Sequence, residues 1–106
     1  MKIGVIISSN DSETVWNAFR LANLALAVGD EVKVFLIGKG VELESLDMDV
    51  FDIKNQRQTF SAGGGKIFAC GTCLGIHHLE APKASTVATL KDLYEIMKES
   101  DKILTF

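Results

Sequence analysis

The sequence predicts one α/β domain, a three-layer α/β/α sandwich on a parallel sheet, and three observations carry that reading. Short apolar, β-branched runs bounded by turn residues alternate with helix-period segments. The strand-like runs are apolar at consecutive rather than alternate positions, as in strands covered on both faces. The chain has 106 residues, of which 47% are hydrophobic. That is enough for one core and too little for two, so residues 1–106 are expected to form a single domain.

The elements follow in order. Residues 2–7, Lys-Ile-Gly-Val-Ile-Ile, read as a buried strand, and the small polar residues from Ser8 to Asp11 suit a loop and helix cap. A helix is expected over 13–28, with Val15, Phe19, Ala22 and Leu26 on one stripe and Trp16, Leu21, Leu24 and Val28 widening it. Its polar stripe is narrow, so it is expected to bury more than one side. Trp16 is read as a core or subunit-interface anchor, and Gly29 as a left-handed helix end. A second strand covers 32–37 and closes on Gly38-Lys39-Gly40. Residues 41–52 read as a short helical turn and a mobile loop, and 51–60 as a helix.

Ser61 to Gly65 breaks that helix, and a third strand over 66–70 runs directly into Cys70-Gly71-Thr72-Cys73. A short helix is expected over 74–79, and strand geometry is plausible around Pro82 and Lys83. Ser85 is read as the cap of an amphipathic helix carrying Val87, Leu90, Leu93, Tyr94 and Met97 inward. Residues 102–106 form a last strand. Alternating strands and helices imply right-handed crossovers.

Composition excludes several function classes. A net charge of −3 leaves no basic surplus to replace phosphate counterions, which argues against a nucleic-acid partner. The longest apolar run is far too short to span a bilayer, and the first residues do not resemble a secretory leader. A cytoplasmic location is expected by default. The triple glycine Gly63-Gly64-Gly65 precedes a strand, whereas a phosphate-binding loop follows one, so it is read as a flexible lead-in. No cofactor is expected.

The chemistry is expected at the cysteines. Two cysteines are too few for a disulfide scaffold or a tetrahedral zinc site. Metal held between subunits, or by a set that His77 and His78 complete, is the lesser reading, because adjacent helical residues point about 100° apart; no metal is expected. Ligands of open parallel sheets sit beyond the carboxyl ends of the strands, where Cys70 falls. Gly71 and Thr72 permit a tight turn whose N–H groups can face the Cys70 sulfur and favour its thiolate, making Cys70 the faster-alkylated cysteine. Cys73 lies close enough to resolve a mixed disulfide. His77, one turn beyond Cys73, can face that sulfur, or it is a plain surface residue. Ser8 and Asn10 line the same sheet edge by topology. Both cysteines also fit a bland reading as small buried hydrophobes.

The chain resembles the DsrE/DsrF-like sulfur-relay proteins, and within them the YchN-like branch. The resemblance rests on Lys2 to Ser8, on Gly38, on Gly64-Gly65-Lys66-Ile67-Phe68-Ala69-Cys70-Gly71-Thr72-Cys73-Leu74, and on Asp101 to Phe106. It spans nearly the whole chain, and Ala69 to Cys73 is its most specific part. It implies a parallel five-stranded sandwich, assembly into trimers or hexamers, and a cysteine that carries sulfur as a persulfide. Cys70 stands where that cysteine ends the third strand, and Cys73 is the second cysteine shared with the branch. The family often has an Arg-Gly pair where His77-His78 stands here.

The expected function is therefore a sulfur relay, with Cys70 the carrier, Cys73 assisting, and sulfur donor and acceptor proteins as partners. Ser8, Asn10, Gly71, Thr72 and His77 are the expected lining. The alternatives are a non-catalytic oligomeric small-ligand-binding module and a dithiol–disulfide oxidoreductase.

Overall fold

The structure is a computed structural model describing residues 1–106. Five strands form one all-parallel sheet: β1 (Lys2–Ile7), β2 (Glu31–Leu36), β3 (Lys66–Cys70), β4 (Ser85–Ala88) and β5 (Lys102–Thr105), in the order β4-β3-β2-β1-β5. The helices are α1 (Ser12–Ala27), α2 (Ile53–Ala62), α3 (Gly71–Ile76) and α4 (Leu90–Glu99), with a 3₁₀ segment over Gly38–Ser45. No helix is long and apolar enough to cross a membrane.

Strand order decides the layers. From β1 to β4 the chain steps one way across the sheet, then returns past β1 to lay down β5. Right-handed crossovers therefore put α1 and α2 on one face and α4 on the other. Alternation along the strands feeds two cores. Val5, Ile7, Val34, Leu36, Ile67 and Ala69 pack with Val15, Phe19, Ile53 and Phe60 under α1 and α2. Phe35, Cys70 and Ala88 pack with Leu93 and Ile96 of α4. Lys33 and Glu99 form an ion pair that ties β2 to the end of α4.

The helix ends follow from local chemistry. Asp11 caps α1 by accepting the Thr14 N–H at 3.0 Å, and Gly29 turns left-handed after it at φ +98°. Thr89 and Asp92 form a reciprocal capping box at the start of α4. Trp16 is half-buried; it packs against the larger core, stacks with Phe51 at 5.4 Å, and lies under the Arg20 guanidinium.

Several expectations are corrected. Residues 85–88 form β4 rather than the start of a helix, because Ala88 pairs with Cys70 and the cap is Thr89. Consequently Leu93 and Ile96 face the sheet, while Val87, Leu90, Tyr94 and Met97 are exposed. Leu21, Leu24 and Val28 of the α1 stripe are also exposed. The strand expected near Pro82 and Lys83 starts only at Ser85. The helix expected over 74–79 begins at Gly71 and ends at Ile76. The segment after β2 is 3₁₀ from Gly38, with Val41 and Leu43 buried. The triple glycine is fitted rather than loose: Gly64 takes φ +94°, and a Cβ on Gly65 would lie 2.3 Å from the Phe60 ring.

Candidate functional site

The two cysteines lie where two central strands end. Cys70 is the last residue of β3 and the residue from which α3 starts, still in extended conformation at φ −62°, ψ 116°. It is 3% exposed, among Phe35, Ala88, Leu93 and Ile96. Cys73 sits three residues on, in the first turn of α3, so both sulfurs fall on one side. It is half-buried and touches both cores. Both thiols are free. Gly71 is half-buried, and Thr72 is exposed beside them.

The hydrogen-bond donor to this pair comes from the neighbouring strand. Directly after β2 the chain turns left-handed at Gly38, φ +57°, and the Gly38 N–H donates to Cys73 Sγ at 3.1 Å. Only glycine takes that conformation without strain. This corrects the expectation that the start of α3 supplies the donor. The helix has six residues, and the Cys70 side chain makes no capping hydrogen bond to it. Cys73 is the more exposed of the two, whereas Cys70, expected to alkylate faster, is 3% exposed. Gly38 as a sulfur partner is the functional residue that the sequence reading missed. Its one signal was a glycine closing the second strand.

Burial pushes the Cys73 thiol above the ordinary range, and the Gly38 N–H pulls the other way. The neighbouring Cys70 thiol pushes it up further. Cys73 therefore holds its proton at neutral pH. Its alkylation by iodoacetamide should keep accelerating above pH 8.5, about where a free cysteine titrates. Rates read by peptide mass spectrometry across a pH series check this, and a midpoint at or below the free-thiol value would overturn it. The unfolded chain releases this proton at lower pH. The stability contributed by protonated Cys73 is thus full below the free-thiol pKa and is lost as pH rises above it.

The other expected residues are placed as follows. The His77 ring faces Glu42, Nδ1 to Oε2 3.6 Å, rather than the Cys73 sulfur, and only its main-chain N–H bonds to Cys73, at the carbonyl. Helix α3 ends before His77 completes a turn, and His78 takes φ +53°. Ser8 lies at the same edge of the sheet, but its N–H and hydroxyl both donate to the Phe106 carbonyl on the β5 side. Asn10 is exposed in the loop before Asp11. Strand β2 separates both from β3. No group of three His, Cys, Asp or Glu side chains is arranged to hold a metal ion.

Comparisons with known proteins agree with this architecture. The model of the DsrE/DsrF-like family matches residues 1–106. An uncharacterized protein of Methanocaldococcus jannaschii is 30% identical over the full length of both chains. One from Methanopyrus kandleri is 32% identical over 98% of this chain and 93% of its own. Among solved structures, the ychN protein from E. coli superposes with a TM-score of 0.81 over the whole of both chains at 24% identity. A protein of unknown function from Methanobacterium thermoautotrophicum gives 0.80 at 12% identity, covering 99% of this chain and 98% of the other. At these identities, the two structures speak for the fold alone.

Proposed function

We propose, since this chain belongs to the DsrE/DsrF-like family, which is associated with sulfur relay, that it handles sulfane sulfur through the Cys70–Cys73 pair. Cys70 carries the sulfur as a persulfide, and Cys73 stands between it and solvent. The observation that carries this reading is the placing of the pair: Cys70 ends β3 in the α4 core, and Cys73, three residues on and half-buried, accepts the Gly38 N–H at its sulfur. A partly exposed thiol beside a buried one can pass sulfur to or from it by thiol exchange.

In loading, the Cys70 thiolate attacks the sulfane sulfur of a donor persulfide. A new S–S bond forms at Cys70, the donor's S–S bond breaks, and the donor leaves as a thiolate. In delivery, an acceptor thiolate attacks the outer sulfur and Cys70 leaves as a thiolate. Alternatively, Cys73 attacks the inner sulfur; hydrosulfide leaves and a Cys70–Cys73 disulfide remains. Because Cys70 is 3% exposed, a donor must be small or must present its sulfur at Cys73.

The test is mass spectrometry of the protein after incubation with a sulfane-sulfur donor. A gain of one sulfur supports the relay. A loss of two hydrogens supports a dithiol–disulfide oxidoreductase instead, and no change supports a ligand-binding module.

The reading includes self-assembly, to a trimer or hexamer. Leu90, Tyr94 and Met97 are 62%, 59% and 47% exposed and form one stripe along α4, spaced four and three residues apart. A second copy covering that stripe explains why its apolar residues outnumber those α4 buries against the sheet. Light scattering at micromolar concentration should give a multiple of the chain mass, and Tyr94→Asp should lower it. A clean wild-type monomer would remove this part of the reading. Sulfur donor and acceptor proteins complete the proposed partners, with a cytoplasmic setting that keeps both thiols reduced.

A further inference from the structure

Away from the cysteines, the side chains of α2 and the β3–β4 connection enclose a cleft of about 340 Å³. Lys54 and Arg57, three apart on α2, form one wall together with Gln58 and Ser61, and Lys83 faces them from the connection. No carboxylate lines it. In a chain of net charge −3, three cations around one cleft are a local excess. The adjoining cleft of about 210 Å³ shares the same three cations and adds Glu44 and Asp47.

Those two carboxylates are engaged elsewhere. Glu44 Oε1 accepts the Lys83 main-chain N–H at 2.7 Å, and Asp47 Oδ1 accepts the Lys54 main-chain N–H at 3.0 Å. They fix the segments that carry the cations without neutralising the side chains by close pairing. Arg57 is the decisive residue. Its side chain is only 11% exposed, yet its nearest carboxylate oxygen, on Glu44, is 4.0 Å from Nη2, beyond hydrogen-bond distance. No protein acceptor takes its guanidinium, whose nitrogens reach solvent, so an anion in the cleft can take that N–H fork in two parallel bonds.

We infer that the cleft between α2 and the β3–β4 connection binds a small tetrahedral oxyanion, a phosphate or a sulfur oxyanion. Arg57 grips it, and Lys54 and Lys83 close on it from either side. Gln58 and Ser61 offer neutral donors on the same wall. The site is distinct from the cysteine pair, because Lys83 precedes β4 whereas the opposite end of that strand, Ala88, is what pairs with Cys70. It therefore stands whether or not Cys70 loads sulfur.

Titration calorimetry with inorganic phosphate and with thiosulfate, at constant ionic strength, tests it. The wild-type chain should bind at least one of them with a Kd in the millimolar range or tighter, and the preferred anion tells a phosphate site from a sulfur-oxyanion site. Arg57→Gln should weaken binding at least about tenfold, the loss of a charge-assisted hydrogen bond. Lys83→Gln, on an exposed side chain whose main-chain bond to Glu44 is kept, should weaken it in a chain that still folds. Lys91→Gln, exposed on α4, should leave it unchanged. Absence of binding at millimolar anion overturns the inference. So does equal weakening by Lys91→Gln and Lys83→Gln, which would mark a diffuse charge effect.

Discussion

Cys70→Ser should abolish sulfur loading, whereas Cys73→Ser should still load and should release the sulfur more slowly. The asymmetry follows from position. Cys70 ends β3 inside the α4 core, and Cys73 packs against that core half-buried, its sulfur held by the Gly38 N–H. Removing Cys73 takes away the thiol that attacks the inner sulfur and expels hydrosulfide, so the persulfide should outlive its wild-type counterpart. Serine at position 70 places a hydroxyl among Phe35, Ala88, Leu93 and Ile96, at a cost of about 1–3 kcal/mol if it finds no partner. Cys70→Ala avoids that hydroxyl and should give the same loss of loading. The measurement is persulfide mass for each variant over time, beside an unfolding curve. Normal loading by both Cys70 variants, with none by Cys73→Ser, would exchange the two roles.

Gly40→Ala should destabilise the fold by about 3 kcal/mol or more, with the loss read from the denaturant midpoint. A Cβ at this position would lie 2.1 Å from the Ile7 carbonyl oxygen and 2.9 Å from its carbon. Both atoms are main chain at the end of β1, so no side-chain rotation relieves the clash. The same Ile7 carbonyl accepts the Ile37 N–H, and Gly40 N–H in turn donates to the Ile37 carbonyl. Pushing Gly40 away thus disturbs the turn that aims Gly38 at Cys73. Gly75→Ala is the contrast. Its added Cβ meets nothing within 4 Å, and alanine favours the helix, so stability should be unchanged or rise by up to about 1 kcal/mol. An unchanged midpoint for Gly40→Ala would show that the 3₁₀ segment can lift off β1 freely.

The first half of the fold was legible because its strands are buried on both faces and its main helix has a strong apolar stripe. Val5, Ile7, Val34, Leu36 and Phe19 declare themselves by type alone. The stretch from Ser85 to Ala88 was not legible. Val87, Leu90, Tyr94 and Met97 happen to keep helical spacing, yet Thr86 and Val87 are drawn into extended backbone by pairing with Phe68 and Ala69. Tertiary pairing there overrides local periodicity. The family resemblance read from Ala69 to Cys73 and the flanking strands was matched over the whole chain. The surroundings of the cysteines were hidden for a simpler reason. Gly38 meets Cys73 only because β2 and β3 are neighbours, a contact 35 residues apart in sequence. His77 leaves the cysteine because α3 stops at Ile76, an ending with no proline or capping side chain to announce it.

The pairing of β5 with β1 sets the order in which the sheet can close. Strand β1 precedes β5 by about a hundred residues, and its outer edge stays bare until residues 102–105 pair with it. The bonds that close it are among the longest-range in the molecule: Lys2 N–H to the Asp101 carboxylate, Asp101 N–H to the Lys2 carbonyl, and Phe106 N–H to the Ile6 carbonyl. Loop closure over nearly the whole chain precedes any gain from those contacts. The sheet is therefore complete only once residues 102–105 have paired, and until then β1 exposes an unpaired hydrogen-bonding edge.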